Sequence, residues 1–159
     1  MNTTHLHLIL NHIPVLGAAG GLGLLAFALW RHSEAIKRTA LGILIIAALF
    51  AIPVFLTGEP AEDGVKGLPG VSKLLIEQHE EAASVALGGA LVIGALALLG
   101  LIWFRGPRLI PAWFSLVTLM GALIVSGLMG WTASLGGQVR HTEIRSDAPA
   151  QPPSDGDRD

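Results

Sequence analysis

The sequence predicts an all-α fold: an integral membrane four-helix bundle with both termini on the outer, periplasmic side. Charged residues make up 14% of the 159 residues against 52% hydrophobic, and mean hydropathy is +0.61. Soluble domains carry about one quarter charged residues. Charge is also excluded from four windows, 13–30, 39–58, 82–104 and 109–139. Each supplies the roughly 20 apolar residues needed to cross a hydrocarbon core of about 30 Å. Backbone groups in lipid need partners within their own segment, and no alternating strand pattern is present, so the windows read as helices.

The first helix is predicted over about 5–30. The residues before it carry no Lys or Arg, so it reads as a retained anchor and not a cleaved leader. Within Asn11-His12-Ile13-Pro14, Pro14 has no N–H to give, which frees the Leu10 carbonyl and favours a kink. A basic connector over 31–38 leads to the second helix, 38–57. The Gly-, Pro- and acid-rich stretch 58–70 reads as an outer loop. The third helix is expected over 72–104 with Ser72 as N-cap, its first two turns standing above the membrane. After the connector 105–108, the fourth helix is expected over 109–135 and stops at Gly136-Gly137. Residues 1–145 thus form one transmembrane domain, and 146–159 is too poor in apolar groups to fold.

Five of the ten basic residues fall in the connectors after helices one and three, while eleven of the twelve acidic residues fall on the other face. Short positive loops stay in the cytoplasm. The placement is that of a multi-pass protein of a bacterial inner membrane. Small residues repeat at Gly17 and Gly21, at Ala82, Ala86, Ala90 and Gly94, and at Ser126, Gly130 and Ser134. Such stripes let helices approach closely in lipid.

The absence of cysteine excludes disulfides, thiolate metal sites and covalent c-type haem attachment. No basic surface for nucleic acid is visible, and no nucleophile with a general base marks an independent enzyme. The functional signal is histidine. His32 lies in the basic connector, whereas His5, His7, His12, His79 and His141 map to the opposite end. Counting back from Arg31 and Arg105 at 1.5 Å per residue puts His7 and His79 at one level and His12 roughly 10 Å deeper than His79. His79 shares a helical face with Leu75, Ala82 and Ala86 and should point into the bundle. For His12, the alternative is a ring that only satisfies a loose carbonyl. Glu80 and Glu81 can support a ligating imidazole or form a solvated collar. Arg140 and Arg145 can pair a carboxylate such as a haem propionate.

The run His7-Leu8-Ile9-Leu10-Asn11-His12-Ile13-Pro14 resembles the opening signature, His-x-x-x-x-His-aromatic-Pro, of a class of bacterial four-helix membrane proteins known as a domain of unknown function. Thr57-Gly58-Glu59, His79-Glu80-Glu81-Ala82-Ala83 and Leu135-Gly136-Gly137 extend the resemblance over about residues 6–145. Leu8 stands where that class tends to have Pro, and Ile13 replaces its aromatic residue. The resemblance implies a small b-type cytochrome or cytochrome-associated subunit with ligand roles at His7, His12 and His79.

These observations set the expectation: haem b held non-covalently near the outer surface by two of His7, His12, His79 and His141, with Arg140 close by. Electron transfer would involve the quinone pool, a periplasmic c-type cytochrome or other subunits of a respiratory or redox complex. Two alternatives stand beside it. One is a non-haem iron, copper or zinc site using the same histidines with Glu59, Glu62 or Glu80. The other is a structural subunit whose histidines serve the backbone.

Overall fold

A computed structural model describes residues 3–64, 71–141 and 144–145. Residues 65–70 of the loop predicted over 58–70, the tail over 146–159 and the side chains of Glu62 and Arg140 lie outside the described residues. The elements are α1 (Thr3–Leu10), α2 (His12–Trp30), α3 (Glu34–Leu56), α4 (Gly58–Asp63), α5 (Lys73–Trp103) and α6 (Ala112–Arg140). Four stretches are long and apolar enough to cross a membrane: Thr4–Trp30, Glu34–Leu56, Lys73–Trp103 and Ala112–Val139. Their outward side chains suit lipid, since Leu16, Val92 and Leu109 expose 68%, 69% and 70% of their surface.

α1 and α2 form one span interrupted at Asn11. This residue keeps right-handed helical angles, makes no side-chain cap bond and donates its N–H to His7 O at 2.9 Å. The interruption falls where Pro14 withholds a donor from the preceding turn. The second span begins at Glu34 and not at 38. Ser33 caps it, its hydroxyl accepting from Ile36 N at 3.4 Å, and Lys37 and Arg38 are thereby helical rather than part of a connector. The turn left between α2 and α3 is short, with His32 at φ 51°. Ser72 takes the N-cap position of α5 through its extended backbone, without a side-chain bond. The last helix begins after Pro111 and runs on to Arg140, so Gly136 and Gly137 do not stop it. Glycine costs a helix only about 1 kcal/mol, and here close approach gives Gly136 another use.

α2 packs on α3 and α6, α3 on α5, and α5 on α6, so α2 lies diagonal to α5 and α3 to α6. Close approach makes these contacts. A Cβ on Gly17 would lie 2.8 Å from Ala47 Cβ, and one on Gly21 would lie 2.7 Å from Leu44 Cδ2. Ala82, Ala86, Ala90 and Gly94 are buried along α5, as their spacing predicts. The third predicted stripe turns differently. Gly130 and Ser134 face outward, and α6 instead packs through Ala122, Val125 and Met129. The hydroxyls of Ser115, Thr118 and Thr132 return to carbonyls one turn back at 3.3, 2.9 and 2.9 Å, which allows them within a membrane span.

The basic end is a polar clamp. Lys37, 8% exposed, donates to Glu34 Oε1 at 2.6 Å and Ile110 O at 3.1 Å, while Glu34 Oε2 accepts from Ile110 N at 2.9 Å. One Arg38 nitrogen reaches the carbonyls of Phe104, Arg108 and Gly106 at 2.6, 2.9 and 3.4 Å. The first turn of α3 thereby holds the irregular segment 104–111 that joins α5 to α6.

Candidate functional site

The other end, hereafter the mouth, carries His7 on α1 and His79 on α5. Because α1 continues α2, the two imidazoles come from diagonal spans.

His7 Nδ1 lies 3.0 Å from Val54 O and 3.2 Å from Thr57 Oγ1. Val54 is in the last turn of α3, where carbonyls lack intrahelical partners. Thr57 Oγ1 itself reaches Pro53 O at 2.8 Å and Val54 O at 3.0 Å. A carbonyl can only accept, so Nδ1 of His7 carries the proton and donates it to Val54, which leaves Nε2 of the neutral ring with its lone pair.

His79 repeats the arrangement at the opposite corner of the bundle. Its Nδ1 donates to Thr132 O of α6 at 3.0 Å, and the ring packs on Gly136. A Cβ at Gly136 would sit 3.0 Å from His79 Cε1 and 3.3 Å from Nδ1, tighter than ordinary contact. Gly136 is therefore the notch that admits the imidazole to the α6 backbone. Ala82 and Ala86 are buried on the same side of α5, as the helical spacing requires.

A test of this notch compares two glycines of α6. Gly130→Ala meets nothing within 4 Å and is expected to stabilise the helix by about 0.5–1 kcal/mol. Gly136→Ala should show no such gain, because the displaced His79 ring loses its hydrogen bond, worth about 1 kcal/mol. Unfolding by SDS titration in mixed micelles measures both. Equal gains would remove the role given to Gly136.

The other predicted residues make different described contacts. His12 is exposed, and its Nδ1 donates back across the break at Asn11 to Leu8 O of α1 at 3.0 Å, the carbonyl-satisfying arrangement weighed as its alternative. His141 is exposed and closes α6 through a backbone bond to Gly137 O at 2.9 Å. Arg145 folds back to donate to Gln138 O at 2.8 Å and Val139 O at 3.1 Å, at the negative end of the α6 dipole. His5, Glu59, Glu80 and Glu81 are exposed. Among the described residues no three His, Cys, Asp or Glu side chains gather as a metal-binding group.

Sequence reasoning missed Val54 and Thr132, which act through backbone carbonyls and leave no side-chain signal. Gly136 was visible in the sequence, but as a helix stop. No family model, curated protein or solved structure matches the chain significantly.

Proposed function

We propose that the chain is a small multi-pass membrane redox protein of a bacterial inner membrane, with both termini periplasmic, in which His7 and His79 hold a b-type haem at the mouth. The observation that carries this reading is the matched state of two imidazoles on diagonal spans. Each is oriented by an Nδ1–H bond of 3.0 Å to a carbonyl of the next helix, and each neutral ring keeps the lone pair of Nε2. Ligating histidines commonly have their second nitrogen fixed in this way, which sets the tautomer and raises ligand basicity. If haem is bound, His7 and His79, from different spans of a helical bundle, would be the residues that hold its iron.

Bound there, haem supplies one-electron transfer. The chain's own part is to hold the rings: Val54 and Thr57 orient His7, and Thr132 and Gly136 orient His79. Ligation is assigned to this pair and not to His12, whose ring turns back to Leu8 O within its own span. Short basic connectors at the opposite end support the orientation.

The same two hydrogen bonds also brace α1 to α3 and α5 to α6, which favours a second reading as a structural subunit. Purification from cells supplied with haem separates the two. The redox reading expects a Soret band and reducible α and β bands, lost in His7→Ala and His79→Ala and retained in His12→Ala and His32→Ala. A spectrum that survives in His79→Ala overturns the ligand assignment. Absence of haem leaves the bracing role, unless elemental analysis finds a stoichiometric transition metal, which would instead indicate a non-haem site.

A further inference from the structure

On the outer surface of α5 and α6, beside His79 and Thr132, lies an open groove of about 530 Å³ lined by Gln78, Glu81, Ala82, Val85, Trp131 and Leu135. That volume falls within the range of roughly 300–1,000 Å³ typical of small-molecule sites. It sits about 28–36 Å along the helices from the basic end by the 1.5 Å rise, at the level where apolar spans meet headgroups. Its rim offers a carboxylate and a carboxamide, Trp131 offers a flat π face, and Ala82, Val85 and Leu135 are apolar.

We propose that this groove binds the head of a membrane-soluble hydroquinone. The lining holds an anion and no cation, which disfavours a phosphate-bearing headgroup and favours a neutral ring whose hydroxyls donate to Glu81 and Gln78. The ring lies against the Trp131 indole, as offset aromatic pairs do. An apolar tail then leaves past Val85 toward lipid. The choice of ligand class rests on the redox reading above, whereas the groove itself does not depend on haem.

The test uses the full chain in nanodiscs with Trp131 as its sole tryptophan, the exposed Trp30, Trp103 and Trp113 being replaced by Phe. Titration with decylubiquinol should quench Trp131 fluorescence saturably. Glu81→Gln should raise the half-saturating concentration about tenfold, the loss expected for a hydrogen bond to a charged acceptor. Val85→Phe, which fills the groove, should abolish saturation. Linear quenching that is equal in all three proteins overturns the proposal. A chain that carries haem yet quenches only linearly refutes the groove and leaves the redox reading intact. Saturable quenching in a chain without haem does the reverse.

Discussion

Replacing Glu34 with alanine is expected to destabilise the protein by about 3 kcal/mol, measured by SDS titration followed by circular dichroism. The carboxylate serves two donors at once, Lys37 Nζ at 2.6 Å and Ile110 N at 2.9 Å. Its loss leaves an ammonium on a side chain 10% exposed, with only the Ile110 carbonyl as a described partner, and orphans a backbone N–H. Removing one member of a buried pair costs about 3–5 kcal/mol, and the lower end applies because Glu34 itself is 26% exposed. Lys37→Met should cost less, about 1–2 kcal/mol, since the carboxylate keeps the Ile110 N–H and some access to solvent. The double variant should lie well below the sum of the two, as expected for groups that share one network. A Glu34→Ala variant as stable as the parent would show that the clamp contributes nothing.

Gly94→Ala should be nearly as damaging, at about 3 kcal/mol. The added methyl would run into Ala48 Cβ on α3 and come within 3.8 Å of Leu44 O. Neither obstacle is the end of a flexible side chain, so α3 and α5 must separate along the middle of the bundle, and overpacking of this kind costs about 1–3 kcal/mol. Between helices in lipid the loss is direct, because close van der Waals packing is itself what drives association. Gly88→Ala on the same helix meets nothing and should gain up to about 1 kcal/mol. Pairing Gly94→Ala with Ala48→Gly should restore much of the loss. Failure of that rescue would place the strain elsewhere.

The four spans were legible because exclusion of charge over some 20 residues has one ready physical solution in lipid. Their ends were less so. Glu34, Lys37 and Arg38 read as solvated connector residues, yet all three turn inward to the segment 104–111. The signals available were the Ser33 cap and the i,i+3 spacing of Glu34 and Lys37. The short α4 was hidden by Gly58 and Pro60, although proline is tolerated in a first helical turn. Counting residues assigned a depth to His7 and His79, but neither the carbonyls their rings meet, Val54 O and Thr132 O, nor the facing of His12 left a trace in that count. Ser126, Gly130 and Ser134 share the spacing of a packing stripe but mostly face outward, because spacing defines a helix face without saying which way it turns.

The two ends of the bundle are joined differently. At the mouth, the described bonds of His7 tie α1 to α3 and that of His79 ties α5 to α6, so each stays within one half of the chain. At the basic end, Lys37 and Arg38 bridge the halves, fastening α3 to the turn between α5 and α6. The described polar bonds that fasten the two halves of the chain to each other are therefore gathered at the basic end, while those of His7 and His79 hold each half together within itself.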